Sequence, residues 1–310
     1  MIYKGWAPFV QLEQRLVDDR LRLSFGGRFE NVELEVPDFT TVAGANNTFV
    51  EGGEPSFEEL LGNAGIVFDV TEDLTVFASY AEGFTMPDAG LILRGVNIPG
   101  QTIDELVDLQ PVVADNLETG INYRRGGLDI AASYFWSDSD LGSRILVVDG
   151  VGQITRQKTE IEGLEVSAAY HFDSGVSTGI AYSQLEGRFD SDGDGSVDKD
   201  LDGRNIAPDR INLYVEAPLA ANWHGRLQYS KLLDRDFDGG LPQHDFDGYS
   251  VVDAVVSYRD ASLGNFTLGI ENLLDEDYIT YYSQTLTYVN DSTYFAGRGR
   301  AVSLGWQKTF

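Results

Sequence analysis

From Val302 to the end of the chain, apolar and polar residues alternate. Val302, Leu304, Trp306 and Phe310 fall on one face; Ala301, Ser303, Gly305, Gln307 and Thr309 fall on the other, with Lys308 interrupting the apolar row. A period of two predicts a strand with one face in an apolar phase and one in water. The same pattern recurs upstream, in pairs. Segments 5–16 and 20–30 flank a turn at Val17-Asp18-Asp19-Arg20, and 63–70 and 74–82 flank Thr71-Glu72-Asp73. Segments 116–124 and 128–138 meet at Arg125-Gly126-Gly127, and 160–171 and 176–187 at Phe172-Asp173-Ser174-Gly175. Segments 210–217 and 222–232 turn at Pro218-Leu219-Ala220-Ala221, and 249–259 and 264–272 at Asp260-Ala261-Ser262-Leu263.

With the terminal segment these make thirteen candidate strands. Their connections alternate between about four residues and about fifteen to thirty. One strand alone fits a soluble β-sandwich, but sandwiches do not place a long loop on every second connection. A transmembrane β-barrel does, with short turns at one end and long loops at the other. Strands of roughly ten residues suit a tilted crossing of the hydrocarbon layer. Phe25, Phe68, Tyr80, Tyr123, Trp136, Tyr170, Trp223 and Tyr258 share the outward parity near strand ends, as interfacial girdles do. The opposite parity carries Glu13, Arg22, Arg28, Glu118, Arg124, Glu165, Glu216, Arg226 and Glu271, a set too charged for a dry core. The predicted fold is therefore all-β: an antiparallel up-and-down transmembrane barrel with a wet lumen.

Composition narrows the function. Fifty acidic residues stand against 22 basic ones among 310, a formal net charge of -28, which excludes nucleic acid as a partner. The acidic residues are dense between the alternating segments, so the charge belongs to loops. With no cysteine, neither disulfides nor thiolate metal sites are available. No run of 18 apolar residues is present, which rules out an ordinary transmembrane helix and leaves a barrel open. The start, MIYKGWAPFV, lacks a basic region followed by an apolar one, so any export signal is expected to lie outside this sequence.

Four stretches then carry a resemblance. They are Ala78-Ser79-Tyr80-Ala81-Glu82-Gly83-Phe84-Thr85-Met86-Pro87-Asp88, Ala207-Pro208-Asp209-Arg210-Ile211-Asn212-Leu213, Gly269-Ile270-Glu271-Asn272-Leu273-Leu274-Asp275-Glu276-Asp277-Tyr278, and Gly297-Arg298-Gly299-Arg300. In this order they are similar to the carboxy-terminal half of TonB-dependent outer-membrane receptors of the ferric-siderophore type. The terminal Phe310 likewise resembles the assembly signal that ends outer-membrane barrels. The motifs cover about residues 74–310, and residues 1–73 follow by pattern. The resemblance implies a barrel of about 22 strands around an amino-terminal plug. Alternation begins here at residue 5, so residues 1–310 are expected to be the carboxy-terminal portion of the barrel, without plug or energy-coupling box. Thirteen antiparallel strands cannot close on themselves, so a partial barrel with two unpaired edges is expected.

The resemblance further implies a receptor in the Gram-negative outer membrane that takes up a ferric siderophore or similar chelate. Its partners would be outer-membrane lipid and, through the amino-terminal part, the TonB complex. Ligand contacts would come from Phe84, Arg94, Tyr281, Tyr282, Gln284 and Arg298, where Arg pairs with chelate oxygens and Tyr stacks and donates. No cofactor is required, but one acidic loop fits Ca²⁺. Asp190, Asp192 and Asp194 occupy positions 1, 3 and 5 of a calcium-loop pattern, Gly195 position 6 and Asp198 position 9. Leu201 stands at position 12, where a bidentate Glu belongs, so an acidic solvated loop tip is an equal reading. The acidic stretch Asp234 to Asp247 has no ligand spacing and reads as loop. An enzyme is not expected, because His171 and His224 fall at short turns and His244 lies beside Asp245 without a nucleophile motif. The alternative to uptake is a calcium-stiffened outer-membrane adhesin or structural barrel; iron-chelate binding discriminates the two.

Overall fold

In the computed structural model the chain forms one 15-stranded antiparallel sheet and a separate two-stranded pair. The structure describes all residues except 43–44, 101, 104–108, 149–150, 238–244, 286–294 and 310, and leaves out the side chains of 145–153. Phe310 and His244 thus lie outside the described residues.

The strands are β1 (Ile2–Trp6), β2 (Phe9–Leu16), β3 (Leu21–Glu35), β4 (Phe39–Thr40), β5 (Phe49–Val50) and β6 (Ser56–Asp69). There follow β7 (Leu74–Thr85), helix α1 (Ala89–Gly95), β8 (Val112–Arg125), β9 (Leu128–Val148), β10 (Val151–His171) and β11 (Ser177–Phe189). The last are β12 (Lys199–Asp200), β13 (Arg210–Ala220), β14 (Trp223–Leu232), β15 (Tyr249–Asp260), β16 (Gly264–Glu271), helix α2 (Tyr281–Thr285) and β17 (Ala301–Gln307).

Both β1 and β2 pair with β3, so they are one lane broken at Ala7-Pro8; the Phe29 N–H reaches the Pro8 carbonyl across the break. The sheet then runs β1-β3-β6-β7-β8-β9-β10-β11-β13-β14-β15-β16-β17, thirteen lanes in sequence order. Among the described residues its two edges do not pair with each other.

The register makes the two faces explicit. Val76 opposes Ile121, which opposes Ala132, which opposes Val166, giving an apolar row across four strands. Three residues along, on the other face, Ser79 opposes Glu118, and Glu118 opposes Phe135. The apolar face is largely solvent-accessible, and among the described residues no protein layer lies against it. Near the short turns it carries a ring ladder: Trp223 packs on Tyr258 at 4.9 Å, and Phe266 on Trp306 at 6.4 Å. Trp306 Nε1 donates to the Leu263 carbonyl at 2.8 Å, an apolar body with a wet tip, as at a membrane boundary. Near the long loops, the hydroxyls of Tyr80, Tyr134 and Tyr182 donate to Asp115, Glu162 and Asp209.

The other face is concave. One cavity of about 830 Å³ touches Thr75, Asn122, Ser167, Ala181, Asn212 and Gln228, which come from six different strands of that face. Only a sheet curled inward brings them together.

Three expectations change. The stretch 139–159, expected as a connection, continues β9 and β10 as one hairpin to the Val148–Val151 pair, with a bulge between Gln157 and Thr159. Its β-branched sequence supports extended backbone beyond the membrane-length segment. Strands β3 and β6 likewise extend seven or fewer residues beyond the expected 20–30 and 63–70. The long loops also contain structure of their own, namely α1, α2 and the β4–β5 pair. At the short end, Gly126 and Gly127 both adopt positive φ, which the tight β8–β9 turn requires.

Candidate functional site

The lumen wall at the short-turn end is built of paired charges. Arg22 meets Asp69 at 3.3 Å, and Thr75 donates to the same carboxylate at 2.7 Å. Arg124 binds Asp129, which also lies 3.5 Å from His171, and Glu216 holds Arg226 at 3.3 Å. Each charge points away from lipid and has a counter-charge, as burial in a wet lumen demands. His171 also contacts the Ser177 hydroxyl at 2.9 Å, and His224 stands 3.5 Å from Glu216, so both sit at the short turns as expected.

At the other end the described parts of the long loops pack as two apolar clusters. In the first, Leu34, Val50, Ile92, Leu93, Ile103 and Leu109 pack α1 against the upper strands. Asp88 caps α1, its side chain accepting from the Leu91 N–H at 2.9 Å. In the second, Phe189, Leu201 and Ile206 pack with Ile161 and Leu185. The loop after β11 is tied to its neighbours: the Tyr281 hydroxyl donates to the Ile206 carbonyl, and Arg235 donates to the carbonyls of Leu185 and Ala207, both at 2.9 Å.

Two of the four family-like motifs turn out to be joints of this loop assembly. Asn272, buried and at positive φ, donates to the carbonyls of Glu276 and Arg298 and accepts from the Glu276 N–H. Asp275 accepts from the Arg300 N–H at 2.8 Å. Segments 269–278 and 297–300 therefore meet in space. Gly297 lies so close to the Tyr278 ring that a Cβ would stand 2.2 Å from it. Sequence spacing could not reveal these joints, because their partners lie more than twenty residues apart in loops without a period.

The six candidate ligand residues separate into two groups. Tyr282 is 71% exposed, Arg94 is exposed at the last turn of α1, and Arg298 is exposed while pairing with Glu271 at 3.4 Å; Phe84 is half-buried on β7 opposite Val113. The first three stand exposed on the long loops, whereas Phe84 shares the apolar face of β7 with Val76 and Tyr80, so its ring does not face the lumen as the resemblance implied. Gln284 is only 4% exposed, and its amide donates to the carbonyls of Asp247 and Ile279 and accepts from the Asp247 N–H. Tyr281 packs edge-on against Phe246 at 4.7 Å, and burial pushes its pKa up. Gln284 and Tyr281 thus brace the loops, their polar groups engaged within the protein.

Asp190, Asp192 and Asp194 do converge, with ligand atoms within 4.8 Å of one another. Asp190 also accepts the N–H groups of Gly193 at 2.7 Å and Gly195 at 2.8 Å. These bonds, that from Gly195 foremost, hold its pKa below the usual carboxylate range. Asp198 stands apart from the trio and accepts from both the backbone N–H and the hydroxyl of Ser191 at 2.8 Å, which lowers its pKa too. Leu201 is 2% exposed inside the second cluster, so position 12 contributes packing and no oxygen. The trio suits a cation, but the donor set falls short of a complete calcium loop.

A curled antiparallel sheet with an aromatic-edged apolar outside, a charged inside and loops at one end is the wall of a large transmembrane β-barrel. Residues 3–273 match the family described as TonB dependent receptor-like, beta-barrel, and the chain belongs to that family. Among curated proteins it is 25% identical to the ferric aerobactin receptor of Klebsiella pneumoniae over 95% of this chain and 43% of that protein. It is 22% identical to the rhizobactin receptor of Rhizobium meliloti strain 1021, covering 94% and 42% respectively. Among solved structures, a copper transporter, OprC, superposes with a TM-score of 0.80 at 17% identity, over 97% of this chain and 47% of that one. The ferric-catecholate import receptor Fiu of Escherichia coli K12 gives 0.72 at 19%, over 97% and 44%. The chain spans less than half the length of the curated relatives it matches. Barrels of this family lie in the Gram-negative outer membrane, so the apolar face meets its lipid. The family and these relatives are receptors and transporters.

Proposed function

We propose that this chain is the carboxy-terminal wall of a receptor that takes up a ferric siderophore across the outer membrane. The observation that carries the proposal is the match, along 94–95% of the chain, to receptors named for ferric aerobactin and rhizobactin. Further strands of a longer protein complete the arc, and its amino-terminal part couples uptake to TonB. The chain itself carries no catalysis. Its part is capture: Tyr282, Arg94 and Arg298 on the long loops present a ring face and guanidinium donors to a chelate. Ca²⁺ at Asp190, Asp192 and Asp194 stiffens the loop after β11 without taking part in transport.

The test is binding of ferric chelates to the 310-residue chain in detergent micelles, followed by intrinsic tryptophan emission. Saturable binding that weakens by about 1–3 kcal/mol in Tyr282→Ala supports the proposal. Absence of binding by hydroxamate, catecholate and carboxylate chelates alike refutes it.

A further inference from the structure

Where β9 and β10 leave the membrane-length segment, β9 carries one residue more than its partner. Ser139 opposes Thr159 and Gly142 opposes Gln157, so Asp140 and Leu141 stand against Lys158 alone. A bulge of this kind re-aims the side chains beyond it. Before the bulge the inward residues of β9 are odd-numbered, as Phe135 and Ser139 are. Beyond it they are even-numbered, and Arg144 turns inward opposite Thr155. Without the extra residue Arg144 would share the outward parity of Trp136.

Arg144 meets a ring there and no acceptor. Its guanidinium lies over the Phe189 ring at 3.8 Å, the residue is 8% exposed, and Nε is buried without a hydrogen-bond partner. Asp202 is the acid whose charge it feels, but that carboxylate is already held by Arg204 and by the Asn205 amide at 2.7 Å. Burial lowers the Arg144 pKa, and a guanidinium stays charged at neutral pH all the same. Gln157 lies diagonally across on the same face, and its Nε2 is likewise buried without a partner. Two buried N–H groups on one face of one hairpin therefore lack an oxygen. Buried donors are almost always satisfied, and an unpaired buried charge is costly. The Phe189 ring covers one face of the guanidinium and holds its plane, which leaves the edge of the fork for an acceptor.

We infer that Arg144 and Gln157 form an oxyanion subsite on the inner face of the β9–β10 hairpin, which takes a carboxylate carried by the metal chelate. This rests on the uptake reading and adds to it a group that the cargo must bear. A carboxylate lying in the guanidinium plane accepts from the fork, and its remaining lone pairs accept from the Gln157 amide. A neutral amide in its place brings N–H groups against these donors and is rejected.

The test uses the 310-residue chain in detergent micelles and two ferric tris-hydroxamates that differ in one pendant group. One carries a carboxylate and the other the corresponding primary amide. The parent should bind the carboxylate form about tenfold tighter or more. Arg144→Met keeps an apolar stem on Phe189 and removes the fork. It should erase the preference and leave affinity for the amide form within about twofold. Gln157→Glu supplies the missing acceptor from the protein itself, since diagonal cross-strand neighbours with long side chains reach each other. It should erase the preference too, with the amide form again unaffected. Should Arg144→Met fail to fold, Gln157→Glu decides the matter alone. Equal binding of the two forms by the parent, or a preference that survives substitution, overturns the inference and leaves the uptake reading intact. Failure of the parent to bind either chelate overturns the uptake reading, and the subsite falls with it.

Discussion

Asp190 organises its loop through backbone donors, and that gives it a pH signature. Its folded pKa lies below its ordinary 3.8 because Gly195, Gly193 and Asp192 donate to the ionised form. A depressed carboxylate pKa stabilises the fold above the unfolded value, and the contribution is lost as pH falls through the folded one. Amide exchange at Gly193 and Gly195 should therefore stay protected at neutral pH and lose protection only below about pH 4. Asp190→Asn should remove that pH step; an unchanged step assigns it to another group. The same loop should take Ca²⁺ weakly, with Kd on the order of 10⁻³ M, because Leu201 replaces the bidentate ligand. Micromolar affinity by calorimetry would mean that another oxygen completes the site.

Gln284 makes the complementary case. Its three amide bonds to the backbone of Asp247 and Ile279 join the last two long loops. Gln284→Ala leaves buried backbone groups unpaired, at about 1–3 kcal/mol, and should open these loops to proteolysis while the strands stay protected. Equal cleavage rates in parent and variant would show that the clamp contributes nothing. That Tyr281, Tyr282, Arg94 and Arg298 stand on long loops was legible in the sequence. Which of them face solvent was not, because Gln284 and Tyr281 are turned inward by partners 37 and 75 residues away.

At the scale of strands, the lumen wall is kept smooth by rings lying across glycines of the next strand. A Cβ on Gly120 would stand 2.7 Å from the Phe77 ring, on Gly163 2.4 Å from Phe135, and on Gly179 2.5 Å from Tyr214. Gly163→Val should cost about 1–3 kcal/mol in urea titrations of the micelle-bound chain, and Phe135→Ala in the same chain should relieve part of it. Additive losses would mean that ring and glycine do not interact. Face assignment was readable from Leu128, Ile130, Ala132, Tyr134 and Trp136 because a strand has a period of two and lipid tolerates few errors. The glycine–ring pairs were not, since they depend on register between segments tens of residues apart. Nor was the length of β9 and β10: Asp138 and Asp140 look like the start of a loop, yet Asp138 opposes both Asp115 and Glu160 in the ladder.

For the whole molecule, the sheet separates lipid from a water-filled lumen, one face to each. The chain contains no cysteine, so single cysteines can be placed at will. The direct measurement is a spin-label scan through 164–170 of β10 in lipid bilayers, comparing collision with oxygen and with a water-soluble nickel chelate. Labels at Leu164, Val166, Ala168 and Tyr170 should favour oxygen, and labels at Glu165, Ser167 and Ala169 the nickel chelate. Accessibility that rises and falls with every residue supports the barrel wall described. A flat profile, or one with the opposite phase, contradicts it.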